Sequence, residues 1–157
     1  ARRGPEGLQA MGERLFAGHR YVGSMDDVFV GSLMSAPVYT VTADTPLREA
    51  GQLMLDHGIG CVIVVGEVDG VVGILTPTDF VAAVAEGGPD SDATVAAAMS
   101  TEVTTTTADV SIRTVADLMI EHQFHHVPVV DDGAVIGVVT TTDLTGYLST
   151  RQAPSPA

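Results

Sequence analysis

The strongest constraint on this chain is that most of it occurs twice. Setting Met34-Ser35 against Met99-Ser100, an offset of 65, superposes Ala43-Asp44 on Ala108-Asp109, Arg48 on Arg113, Leu53-Met54 on Leu118-Met119 and His57 on His122. Val62, Val64 and Val65 then fall on Val127, Val129 and Val130. One residue is lost in the next turn, and at offset 64 Gly73, Thr76, Thr78 and Asp79 meet Gly137, Thr140, Thr142 and Asp143. So long a run, in order and with one indel, marks a tandem repeat of a unit of about sixty residues. A unit of that size has too little core to stand alone, so the sheet face of each copy must be buried against the other.

Each copy reads as strand, helix, strand, strand, helix. The expected first strands are 38–41 and 103–106, followed by helices at 46–56 and 111–121. Leu47, Ala50, Met54 and Leu55 keep helical spacing in the first helix, as do Ile112, Val115, Leu118 and Met119 in the second. Unbroken apolar strands come next, at 61–65 and 127–130. Turns at 66–70 and 131–133 lead to strands at 71–75 and 134–139, and helices at 77–85 and 141–148 close the units. The Gly- and Asp-rich stretch 87–93 divides a first unit at 32–86 from a second at 94–149. Residues 1–31 form an N-terminal segment, with one short helix expected at 8–16 and another through Val28, Val30 and Leu33. A disordered tail is expected at 150–157.

The chemistry concentrates where the last strand of each unit runs into its helix, at Gly73-Ile74-Leu75-Thr76-Pro77-Thr78-Asp79 and Gly137-Val138-Val139-Thr140-Thr141-Thr142-Asp143. Thr76 and Thr140 are the expected N-caps, with Asp79 and Asp143 three residues on, against the free N–H groups and the positive end of the helix. Capping alone accounts for one such corner. Two in matched contexts also suit a sugar–phosphate, with N–H groups and hydroxyls toward the phosphate and the carboxylate accepting from a vicinal diol.

Composition narrows the classes. Seven Arg, no Lys and twenty Asp plus Glu give a net charge of −13. Four Arg and four acids cancel within residues 1–30, so the excess sits in 31–157, with three Arg against sixteen acids. A nucleic-acid partner needs a basic footprint that this sequence lacks. Such a Lys-free acidic surface fits a salt-loving host, and a GC-rich genome biases composition the same way. No apolar run reaches the roughly 18–20 residues of a membrane helix, no secretory signal opens the chain, and Cys61 is a lone cysteine. The expectation is a soluble protein of the cytoplasm with no membrane partner.

With the order β-α-β-β-α, the Gly-x-x-Thr-x-x-Asp close and Phe124-His125-His126-Val127-Pro128-Val129-Val130-Asp131 before it, the sequence resembles a pair of CBS domains over roughly residues 32–149. The resemblance implies an α+β fold of two units packed sheet to sheet with pseudo-two-fold symmetry, a Bateman module. It implies a regulatory role, not an enzyme, with two clefts binding an adenosine-containing ligand: AMP, ADP, ATP (with or without Mg²⁺) or S-adenosylmethionine. It also implies a homodimer or a regulated protein partner. Carried over by position, Asp79 and Asp143 take the ribose hydroxyls, and Thr76, Thr78, Thr140 and Thr142 contact ribose or phosphate. Thr40 and Thr105 meet the adenine edge, while Val62 and Val127 lie in the strands flanking the base. His125 and His126 are donors at the cleft edge. With only Arg48, Arg113 and Arg151 in this region, a monophosphate or a phosphate-free ligand suits the chain better than free ATP.

Other signals carry less. His122, His125 and His126 do not converge on the expected layout, because one ends a helix and adjacent strand residues point to opposite faces. Cys61 reads as a small core residue, and Asp26-Asp27 and Asp131-Asp132 as a cap and a turn. The competing function is a structural dimerisation module with no ligand. The ligand reading fails if both carboxylates turn onto their own backbone and side chains fill the clefts.

Overall fold

The computed structural model describes residues 25–151, so the helix expected at 8–16 lies outside the described residues. A 3₁₀ turn at Met25–Asp27 leads to a short helix, α1 (Val30–Leu33), then β1 (Thr40–Val41), α2 (Leu47–His57), β2 (Val62–Val65), β3 (Val71–Leu75) and α3 (Pro77–Ala85). A 3₁₀ turn at Val95–Ala97 opens the second unit, followed by α4 (Ile112–His122), β4 (His126–Asp131), β5 (Ala134–Thr140) and α5 (Thr141–Arg151). Residues 150 and 151 thus continue the last helix instead of starting a tail.

The unbroken apolar character of β2 follows from burial on both faces, where a one-sided sheet would alternate. Ile63 and Val65, with Cys61, form a cluster joined by Val71 and Ile74 of the first unit and Val135 and Val138 of the second. That cluster is the contact between the two sheets. Val64 points the other way, onto Leu47 and Ala50 of α2, Leu75 and Val95. In the second unit Val127, Val129 and Val139 pack against Ile112, Val115 and Met119 of α4. The molecule is therefore α+β, with helices outside and two sheets face to face between them.

The units are also stitched by exchange. Ser35 pairs with Val138 through N–H···O bonds of 2.8 and 3.1 Å, and Ser100 pairs with Ile74 through two of 2.9 Å. Each leading segment thus lies beside the last strand of the other unit. Gly73 and Gly137 permit it: a Cβ at Gly137 would stand 2.6 Å from Met34 Sδ and 3.1 Å from the Ser35 carbonyl oxygen. At Gly73 the neighbours are Met99 Sδ at 2.8 Å and the Ser100 oxygen at 3.1 Å.

Two departures from the expected strands have local causes. The strand expected at 103–106 is reduced to one parallel bridge, Thr106 to Val129. In the first unit Ile63 N–H donates to the Tyr39 carbonyl at 3.2 Å, but its counterpart at offset 65 is Pro128, which has no N–H to give. The turns differ as well. Asp132 and Gly133, at φ 48° and 80°, make the tight left-handed turn that Asp-Gly favours. In the first unit the same conformation falls on Val68 and Asp69 at φ 53° and 58°, and Val68 is 92% exposed, so a β-branched residue is strained there without any packing in return.

Two stability changes are expected. Gly137→Ala should lower unfolding free energy by about 1–3 kcal/mol, read by urea denaturation, because the Ser35 backbone must give way. Val68→Asn should raise it by about 1 kcal/mol, a Tm gain of about 3 °C by calorimetry.

Candidate functional site

Both strand-to-helix corners form, and they match. Asp143 Oδ2 accepts from Thr140 N–H at 2.8 Å and from Thr140 Oγ1 at 3.0 Å, while Asp143 N–H donates back to Thr140 Oγ1 at 3.2 Å. In the twin, Asp79 Oδ2 accepts from Thr76 N–H at 2.8 Å and Thr76 Oγ1 at 3.3 Å. The carboxylates therefore cap their own helices, as the simpler expectation had it. The remaining oxygen behaves alike in both: Ser35 Oγ donates to Asp143 Oδ1 at 3.2 Å, and Ser100 Oγ to Asp79 Oδ1 at 3.1 Å. A carboxylate oxygen takes about two hydrogen bonds. Oδ2 is saturated and Oδ1 retains one acceptor position.

Capping has not closed the crevice at Asp143. A cavity of about 330 Å³ opens between the units there, at the lower end of the roughly 300–1,000 Å³ of small-molecule sites. One wall is Pro37, Val38 and Tyr39 ahead of β1, with the 58–61 segment ahead of β2; the other is Val138, Thr140, Thr142 and Asp143. Because the leading segments are exchanged, the cleft combines the first unit's strand starts with the second unit's corner. His126 enters from the start of β4, and a Cβ on Gly60 would stand 2.8 Å from its Nε2, so Gly60 leaves room for the imidazole. Tyr39 stacks on His57, ring centroids 4.2 Å apart.

Of the residues singled out from sequence, His126, Thr140, Thr142 and Asp143 come together in this cleft. Thr76, Thr78 and Asp79 belong to the twin corner. Val62 and Val127 are fully buried, so their side chains line no opening. Thr40 is exposed, in an outward groove with Thr42, Thr45 and Glu49, and Thr105 is exposed beside the Thr106 bridge. His125 is exposed, and its carbonyl accepts from Thr141 N–H at 3.0 Å, a backbone role at the start of α5. Sequence reasoning missed Ser35, Ser100 and the 37–39 wall. The retention of Met-Ser in both repeats, outside any expected strand, was the available signal.

The cleft's electrostatics are anionic to neutral. Among the described residues its lining holds neither Arg nor Lys, and Asp143 is the one carboxylate. Burial pushes the His126 pKa down, His125 adds to that, and Asp143 opposes it. Burial, helped by Asp143, pushes the Cys61 thiol up to about 12, which leaves it an unreactive core group. Among the described residues no group of three or more His, Cys, Asp or Glu side chains could hold a metal ion. His122 instead stacks on Phe124, and Arg113 pairs with Asp26 at 3.2 Å.

The CBS-domain profile matches residues 30–86 and 95–150. An uncharacterised protein of Methanopyrus kandleri is 34% identical over 76% of this chain and 62% of its own length. The CBS domain-containing protein YhcV of Bacillus subtilis is 33% identical over 73% of this chain and 81% of its own. Among solved structures, the CBS domain pair of protein MJ0100, in complex with 5′-methylthioadenosine and S-adenosyl-L-methionine, superposes with a TM-score of 0.73 at 28% identity, covering 80% of this chain and 98% of that one.

Two pH-linked outcomes are expected. The unfolded chain takes up a proton at His126 near the ordinary value of roughly 6.5 while the folded chain resists it, so stability falls as pH drops below that value. His126→Gln should flatten this acid-side slope in unfolding measurements at pH 7 and 5. The Cys61 thiol should react with a disulfide reagent at pH 8 on the order of 10³-fold more slowly in the native protein than in denaturant.

Proposed function

The chain belongs to the CBS-domain family as a tandem pair, and on that premise we propose that it is a regulatory module binding an adenosine-containing ligand in the cleft at Asp143. The observation that carries this reading is the open crevice itself: a 330 Å³ cavity whose mouth holds a fixed carboxylate with one free acceptor position. A ribose diol can donate there, and Tyr39 offers an aromatic surface to a purine. MJ0100, whose domain pair carries 5′-methylthioadenosine and S-adenosylmethionine, supports the same ligand class.

Charge favours a ligand without phosphate. The helix N-terminus that would receive a phosphate is already capped by Asp143, and among the described residues no cation lines the cleft. A sulfonium or neutral nucleoside avoids that conflict, and a nucleotide would bring Mg²⁺ as its counter-charge. The two clefts are unequal on this reading. By the repeat offset, Glu102 takes the place of Pro37 and His125 that of Gly60 at the Asp79 corner, so the ligand goes to Asp143. Occupancy joins the first unit's strand starts to the second unit's helix and stiffens that junction, the signal passing to a partner protein or a second copy in the cytoplasm. Self-capping at both corners favours the rival reading, a structural dimerisation module.

Calorimetric titration with S-adenosylmethionine, 5′-methylthioadenosine, AMP, ADP and ATP, with and without Mg²⁺, decides between them. Binding of the phosphate-free ligands should be tightest. Asp143→Asn keeps a cap oxygen but removes the acceptor, and should weaken binding about 10–100-fold. Asp79→Asn should leave it unchanged. Failure of every ligand to bind, or an unaffected Asp143→Asn, contradicts the reading.

A further inference from the structure

Protonation of His126 is the one way in which the described residues can place a cation in the Asp143 cleft, because its lining holds neither Arg nor Lys among them. The imidazole is held in position. His126 pairs with Thr140 across β4 and β5, and the bare backbone of Gly60 lies so close that a Cβ there would stand 2.8 Å from its Nε2. Ionisable groups surround it from several elements. His125 is its neighbour on β4, while Asp143 of α5, Cys61 ahead of β2 and Tyr39 ahead of β1 share the lining with it. The Cys61 thiol, pushed up to about 12, stays uncharged. Burial first, and His125 second, hold the imidazole neutral at pH 7 against the opposing effect of Asp143. A neutral imidazole beside a carboxylate offers an anion little, whereas an imidazolium donates from both nitrogens with a full charge.

On the reading of the Asp143 cleft as a nucleoside site, we infer that His126 selects the ligand by the charge of its 5′ substituent, rejecting an anion when neutral and admitting one when protonated. In a cavity of about 330 Å³, a ribose held at Asp143 keeps its 5′ substituent within the same walls as His126. The unliganded imidazole has a lowered pKa and a bound anion raises it, so anion binding takes up a proton. Affinity for an anionic nucleoside therefore climbs as pH falls, by at most about tenfold per pH unit for one linked proton. An uncharged nucleoside has no such slope. The device belongs to one cleft: at the repeat offset of 65, Cys61 stands where His126 does in the second unit.

Calorimetric titration of the full chain between pH 7.5 and 5.5 tests this with two probes. One is 5′-methylthioadenosine, which is uncharged. The other is adenosine 5′-sulfate, singly negative throughout, whereas the phosphate of AMP itself titrates near pH 6. Affinity for the thioether should stay level, which also shows that the cleft is intact at pH 5.5. Affinity for the sulfate should rise about tenfold or more, with about one proton taken up per ligand, read from heats in two buffers of different ionisation enthalpy. His126→Gln should abolish that slope and the proton uptake, and His125→Gln should keep both. His126→Lys should bind the sulfate at pH 7.5 as the unaltered chain does at pH 5.5. A level sulfate affinity alongside thioether binding overturns the role of His126 and leaves the nucleoside site standing. A slope that survives His126→Gln, or is lost in His125→Gln, overturns it as well. If neither probe binds at any pH, the nucleoside site and the selection by His126 fall together.

Discussion

Burial of β2 and β4 on both faces is the constraint from which the rest of this structure follows. A strand with helices on one side and a second sheet on the other has no solvent face, so its sequence cannot alternate. The four residues of β2 are all buried: Val64 lies in the first unit's own core, while Ile63 and Val65 lie at the contact with the second unit. Neither half can bury that second face alone. The duplication is thus a physical requirement as much as a history, and the exchange of leading segments across Gly73 and Gly137 locks it.

The site inherits its character from this arrangement. Two strands meeting face to face leave a crevice at the ends of the units, and exchange brings Pro37 to Tyr39 of the first unit against the corner of the second. Asp143 then serves two structures at once: one oxygen holds its helix N-terminus, and the other faces Ser35 across the junction. A group already used as a cap is rigid, which suits it to recognition. The same use occupies the helix end that an anion would approach, and among the described residues the lining adds no cation.

Much of the architecture could be read from residue order because periodicity and repetition report burial directly. The helices at Leu47–His57 and Ile112–His122 start one residue from where capping and spacing put them. The strand at 103–106 could not be read so, because its loss depends on Pro128, a residue on the neighbouring strand that withholds one donor. In the site, local chemistry was legible and long-range placement was not. Thr140, Thr142 and Asp143 come from one contiguous motif, and they converge. Thr40, Thr105, Val62 and Val127 depend on which face of a strand meets the cleft, and in the structure their side chains face outward or into the cores. Ser35 and Tyr39 reach the cleft only through the exchange between units, which no window of the sequence reveals.

Amide chemical shifts followed during titration with S-adenosylmethionine would test the proposed role of the cleft most directly. Shifts confined to Val38–Tyr39, to 58–61 and to 140–143, with the twin corner at 76–79 unmoved, are the outcome this structure predicts. A spectrum unchanged at saturating ligand, or shifts that spare Asp143 and its facing wall, would contradict it.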